Sequence, residues 1–204
     1  HKGEGKTIFG NTYSQFLKVT SEVIVYRKLT ENSLIATRFM GGIGYAYGNS
    51  EVMPYSEQFY IGGANSIRAF TIRSIGPGSY HQKSDNKTAY LDQTGDIKLA
   101  GNIELRFKIA GDLNGAVFLD AGNVWLLRND SKRPGGEFKL SGLLKEIALG
   151  TGFGLRYDIG FIVIRGDLGV PLHTPYKNPD KHGYYNIPKF WNGLAFHLAI
   201  GYPF

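Results

Sequence analysis

The chain has no cysteine among its 204 residues, which excludes disulfide scaffolds and thiolate metal sites. No apolar run approaches the ~18 residues of a spanning helix, so a helical membrane protein is excluded as well. Basic residues outnumber acidic ones by 23 to 17, for a formal net charge of +6. They are dispersed rather than clustered, and no nucleic-acid motif accompanies them, so nucleic acid is not an expected partner. Enzyme signatures are missing too. The histidines at 1, 81, 173, 182 and 197 show no His-x-x-x-His spacing, and neither a Gly-x-Ser-x-Gly elbow nor a phosphate-binding glycine loop occurs. Asp85, Asp92 and Asp96 match no calcium loop and are expected to be solvated. The reading is therefore of a non-enzyme without metal or cofactor. His1 to Gly5 lack the apolar core of a signal peptide, which leaves two readings: a leader already removed, or a chain that starts inside a longer protein.

What is abundant is glycine, 28 residues, and aromatic side chains, 14%. The mean hydropathy of −0.20 is ordinary for a water-soluble protein. It is equally ordinary for a membrane β-barrel, whose strands alternate lipid-facing and lumen-facing residues and so average to moderate values.

About seven stretches alternate in that way. From Tyr13 to Arg27, Leu17, Val19, Val23 and Val25 oppose Lys18, Thr20 and Glu22; from Leu34 to Tyr47, Ile35, Phe39, Ile43 and Tyr45 oppose Arg38, Met40, Gly42 and Gly44. Ile103, Leu105 and Phe107 oppose Asn102, Glu104 and Arg106, and Val117 and Leu119 oppose Phe118 and Asp120. Leu149, Phe153, Leu155 and Tyr157 oppose Gly152, Gly154 and Arg156, while Ile162, Ile164, Leu168 and Val170 oppose Arg165 and Asp167. A soluble sandwich would bury the oily parity and solvate the charges; a membrane barrel turns oil outward and charge into a wet lumen. Short links at 28–33, 110–114 and 158–160 alternate with long ones at 48–96, 126–146 and 171–191, the arrangement of outer-membrane barrels. Ser141 to Ile147 has the makings of a short helix within the second long link.

The final stretch, Asn192 to Phe204, puts Leu194, Phe196, Leu198, Ile200, Tyr202 and Phe204 on one face and Ala195, His197, Ala199 and Gly201 on the other. An aromatic-ended strand of this kind resembles the C-terminal β-signal of bacterial outer-membrane proteins.

A second resemblance is more specific. Phe59 to Phe70, followed by Ile75-Gly76-Pro77-Gly78, resembles the sixth extracellular loop of the BamA/TamA-like outer-membrane assembly factors, the bacterial surface antigen family. That family's motif runs valine or isoleucine, arginine, glycine, aromatic. Ile67, Arg68, Ala69 and Phe70 follow it except at Ala69, where glycine is usual and where alanine tolerates a positive φ poorly. Gly101 to Phe107 and Phe118 to Trp125 resemble the two strands that come after the loop. The resemblance spans Tyr13 to Phe204 but does not extend to the family's periplasmic POTRA modules.

It implies an all-β fold, a transmembrane antiparallel β-barrel of which residues 1–204 are the C-terminal part of sixteen strands, with the loop at 48–96 folded into the lumen. It implies that Arg68 pairs with Asp120 and Glu104, as a guanidinium withdrawn from water requires. It further implies insertion or translocation of client outer-membrane or secreted proteins by β-augmentation at a weak seam, here Asn192 to Phe204, with Phe196, Leu198, Ile200, Tyr202 and Phe204 as its signal residues. The implied partners are outer-membrane lipids, the clients, and N-terminal barrel strands or other chains of an assembly complex. The implied location is the bacterial outer membrane, long loops extracellular and C-terminus periplasmic. Seven strands is an odd number, and an eighth at Lys6 to Phe9 would make a barrel too narrow for the loop, so the chain is expected not to close on itself. The alternatives are a passive pore or surface barrel, a barrel enzyme, and a soluble β-sandwich.

Overall fold

The computed structural model describes residues 6–81, 93–178, 185–187 and 193–204. A short hairpin, β1 (Thr7–Ile8) and β2 (Asn11–Thr12), stands apart from a seven-stranded antiparallel sheet. The sheet runs in chain order through β3 (Gln15–Thr30), β4 (Ser33–Tyr47), β5 (Ile97–Ala110), β6 (Leu113–Trp125), β7 (Ala148–Asp158), β8 (Val163–His173) and β9 (Ala195–Ile200). Every neighbour is next in sequence, so the sheet is a meander. β3 and β9 do not pair with each other, and each keeps one edge bare among the described residues.

Three tight turns lie at one end, at Glu31-Asn32, at Gly111-Asp112 and at Ile159–Ile162. Gly111 and Gly160 there adopt φ of 51° and 87°, the left-handed region that glycine enters without a Cβ penalty. The long connections emerge at the other end. One of them holds the brief helical segment anticipated from 141–147, a 3₁₀ turn Leu140–Gly142 continuing into α1 (Leu143–Glu146).

The alternation reads directly onto the two faces. Leu17, Val19, Val23, Val25, Phe39, Ile43, Ile103, Val117, Leu119, Phe153, Leu155 and Ile164 are all exposed on the convex side, and Phe196, Leu198 and Ile200 more so, at 69–72%. Soluble monomers rarely expose an apolar patch beyond a few hundred Å². Here it spans the whole sheet, and no second layer covers it among the described residues. No described helix is long and apolar enough to cross a membrane. The concave side carries glycine, alanine and charged residues, and Ala36, Ala100, Ala116 and Ala148 on it are buried.

The described part of the 48–96 connection turns back over this side of the sheet and covers Ala148. Within it, Phe59 and Gly95 exchange backbone hydrogen bonds of 2.9 and 2.8 Å, which bring its descending part back beside the start of β5. Its apolar residues Phe59, Ile61, Ile67, Ala69, Phe70 and Ile75 form one cluster with Val124 of β6 and Ala148 of β7. The small inward side chains of the strands are what let the loop approach so closely.

Three expectations are corrected. Lys6 to Phe9 adds no strand to the sheet; Thr7–Ile8 pairs with Asn11–Thr12 instead. Asp96 is half-buried rather than solvated: its Oδ2 accepts a hydrogen bond from the Leu127 amide at 3.0 Å, and burial pushes its carboxyl above the ordinary range. Asp85 and Asp92 lie outside the described residues. Finally, the last strand is shorter than its alternation suggests. β9 ends at Ile200, Gly201 turns with φ 83° while its amide holds the Val163 carbonyl at 2.7 Å, and the tail leaves the oily face.

Candidate functional site

Arg68 reaches the concave wall from the loop, fully buried, as are Glu104 on β5 and Asp120 on β6. Strand register explains why the wall can receive it. Asn102 stands opposite Asp120 and Glu104 opposite Phe118, so one inward patch carries an amide, two carboxylates and an aromatic ring. Arg68 Nε and Nη2 donate to the two Asp120 oxygens at 2.8 and 2.9 Å, and its backbone amide donates to Asp120 Oδ2 at 3.0 Å. Nη1 donates to Glu104 Oε2. The guanidinium carbon lies 3.6 Å from the Phe118 ring centroid, a cation–π stack on the face left free by the carboxylates. Burial opposes a charge on Arg68, but the hydrogen bonds and charges of Asp120 and Glu104 outweigh it and hold the group well above its ordinary value.

The pair sits inside a larger network. Glu104 also accepts from Arg106 Nε at 2.7 Å and from Arg156 Nη2 at 3.2 Å. The same Arg156 nitrogen lies 2.7 Å from Asp167 Oδ1, a charge contact without hydrogen-bond alignment. Arg165 Nη1 donates to Asp167 Oδ2 at 2.8 Å and to the Ala64 carbonyl at 3.0 Å, and Arg165 Nη2 donates to Asn65. Asn102 Nδ2 donates to Asp120 Oδ1 at 2.8 Å and to the Ser66 carbonyl at 2.7 Å. Loop residues 64–68 are thus held by side chains from β5, β6 and β8. Four buried guanidinium groups face three buried carboxylates, so the cluster carries one net positive charge.

Of the loop motif residues, Ile67 and Ala69 are buried and Phe70 nearly so. Ala69 is not among the residues with positive φ, so the methyl that replaces the usual glycine brings no backbone strain. Of the C-terminal residues, Phe196, Leu198 and Ile200 face outward, but Tyr202 and Phe204 do not join them. The tail folds inward after Gly201. There the Tyr202 ring lies 4.5 Å from the Arg106 guanidinium, and the Phe204 carbonyl accepts from Arg106 Nη2 at 3.1 Å. The alternation placed both on the oily face, because a period of two carries no sign of a strand's end. His197 of β9 faces inward, and its Nε2 donates to the Arg68 carbonyl at 2.9 Å, tying the last strand to the loop.

Asn102, Arg106, Arg156, Arg165 and Asp167 belong to the network but were not among the candidate site residues. Their signal was present, since all share the inward parity of Glu104 and Asp120. Asn65 and the Ala64 and Ser66 carbonyls carried no such signal.

Comparison with known proteins agrees with this fold. Residues 4–204 match the Omp85 superfamily domain. Over 89 residues, 41% of this chain and 11% of the relative, the chain is 33% identical to the outer membrane protein assembly factor BamA of Neisseria meningitidis serogroup B. Over 150 residues, 69% of this chain and 30% of the relative, it is 31% identical to the sorting and assembly machinery component 50 homolog A of Xenopus laevis. The crystal structure of BamA from Haemophilus ducreyi lacking POTRA domains 1-3 superposes with a TM-score of 0.60 at 18% identity, over 92% of this chain and 35% of that one. The chain therefore spans about a third or less of the length of each of these relatives. The open meander, the loop locked onto its concave wall and the domain match over nearly every residue lead to one assignment: the chain belongs to the Omp85 superfamily as a BamA/TamA-like member, with the all-β, antiparallel architecture of that family's barrel.

Proposed function

We propose that this chain is the C-terminal wall of an outer-membrane protein assembly or translocation factor, and that β9 forms one side of a seam at which a client strand is taken up by β-augmentation. The observation that carries the reading is that β9 pairs with β8 alone among the described residues, while His197 ties that same strand to the Arg68 carbonyl. A bare edge in a low-dielectric setting leaves backbone donors and acceptors unpaired, so an incoming strand that pairs with them is strongly favoured. No covalent step enters, and the work is that of a template braced by the loop. The names of the two sequence relatives, an assembly factor and a sorting and assembly machinery component, support the same reading.

In this reading the convex face meets outer-membrane lipid, the long connections are extracellular, and the tight turns and the C-terminus are periplasmic. The partners are client outer-membrane or secreted proteins, together with upstream strands or other chains that complete the barrel.

The test uses the full-length protein in vesicles of outer-membrane lipid, with an unfolded barrel protein as client and a photo-crosslinking side chain placed at Leu198 on β9 or at Val117 in the middle of the wall. Clients crosslinking at Leu198 and not at Val117, with insertion faster than into protein-free vesicles, is the expected result. Insertion no faster than in protein-free vesicles, accompanied by ion conductance, would make the protein a passive pore and remove the proposal.

A further inference from the structure

The loop rests on glycine where it crosses β7 and β8, and two of these glycines differ in what they accommodate. A Cβ added at Gly169 would fall 2.2 Å from the Arg68 carbonyl oxygen and 2.7 Å from the Ala69 Cα. Those are backbone atoms and cannot be trimmed. A Cβ added at Gly150 would fall 2.1 Å from the Ala69 Cβ, whereas the next nearest atoms, the Ala69 Cα and the Val170 carbonyl oxygen, are both 3.5 Å away, an ordinary contact. The obstacle at Gly150 is therefore a single methyl group, contributed by the residue next to Arg68.

We infer that Ala69 and Gly150 form a size-complementary pair that sets the depth of the loop and thereby the register of Arg68 on Asp120, with Gly150 acting as a positioning residue. Gly150 stands directly opposite Asp120 in the β6–β7 register, so whatever lifts the loop at position 150 lifts it beside the carboxylate it must reach. Two methyl carbons need about 3.6 Å between them, which requires the loop to rise by about 1.5 Å. The Arg68 hydrogen bonds to Asp120, now 2.8–3.0 Å, cannot survive a shift of that size. The seat holds one methyl, at position 69 or at position 150, but not two. This inference concerns how the loop is seated and stands whether or not the barrel assembles clients.

These 204 residues contain no cysteine, so a single-thiol readout is clean once any cysteine elsewhere in the full-length protein has been replaced by serine. Ile67→Cys in the full-length membrane-embedded protein places a thiol at a fully buried loop position, and its labelling by a water-soluble maleimide reports the loop's seating. Gly150→Ala is expected to raise the labelling rate at least tenfold. Ala69→Gly alone should stay within twofold of the parent, and adding it to Gly150→Ala should bring the rate back to that level. Gly169→Ala should label fast with or without Ala69→Gly, because its clash is with backbone. If Gly150→Ala fails to fold, heat-modifiable gel mobility takes over as the readout, and Ala69→Gly is then expected to restore the folded band. Unchanged labelling of Gly150→Ala, failure of Ala69→Gly to rescue it, or equal rescue of Gly169→Ala would each overturn the pairing.

Discussion

Deleting the members of the Arg68 cluster one at a time, and then in pairs, should produce unequal and non-additive losses. Asp120→Ala removes the acceptor of three Arg68 hydrogen bonds and one from Asn102, and it raises the cationic excess of the cluster from one charge to two. Breaking a buried pair from one side costs roughly 3 to 5 kcal/mol, and this deletion belongs in the middle of that range, at ~4 kcal/mol. Glu104→Ala strips a partner from Arg68, Arg106 and Arg156 together and should lie at the top, ~5 kcal/mol. Arg68→Ala leaves Asp120 with Asn102 and with the backbone amide of residue 68, and it brings the cluster to charge balance, so it should lie at the bottom, ~3 kcal/mol. Because two hydrogen bonds and the ion pair join the Arg68 side chain to Asp120, the double variant should cost ~2 to 3 kcal/mol less than the sum of the singles. Urea unfolding of the full-length protein in lipid, followed by heat-modifiable mobility and by fluorescence of the buried Trp125, supplies the four free energies of the cycle. Additivity of Arg68→Ala and Asp120→Ala within ~0.5 kcal/mol would refute the pairing, and Arg68→Ala costing more than Asp120→Ala would refute the charge count.

Other consequences can be checked separately. Phe153→Arg or Leu198→Arg, on the convex face, should cost ~2 to 4 kcal/mol in the membrane, whereas Thr20→Arg on the inward parity of β3 should cost under ~1 kcal/mol; the reverse order in urea titrations would invert inside and outside. His197→Ala should lose ~1 kcal/mol through its bond to the Arg68 carbonyl and should speed labelling of Ile67→Cys, while His197→Gln should retain most of both; equal behaviour of the two variants would remove the tie between β9 and the loop. Cysteines at Phe16 on β3 and Ala199 on β9 should give no efficient intramolecular cross-link in the membrane, since the sheet runs from one to the other without closing. Efficient cross-linking would mean that these residues form a small barrel of their own.

The sequence by itself determined the strands, their two faces and the end at which the chain turns tightly, because a period of two fixes which side of a pleated strand each residue occupies. Leu105 outward and Glu104 inward needed no tertiary information. The Arg68, Glu104 and Asp120 trio was legible only through the resemblance of the loop motif and the two following strands, since nothing local in Ile67 to Phe70 says where a connection of this length will land. Tertiary structure alone decided the rest. Seven strands in register bring Arg106, Arg156, Arg165 and Asp167 to the same wall from positions up to about sixty residues apart, and the charge balance of a buried cluster is a property of that convergence rather than of any one strand. Gly201 ends the regular strand and sends Tyr202 and Phe204 inward against their parity, an outcome set by the Arg106 side chain waiting across the concave face. The meeting of Ala69 with Gly150 is likewise invisible in either segment, because a missing Cβ has meaning only beside the atom that fills its place.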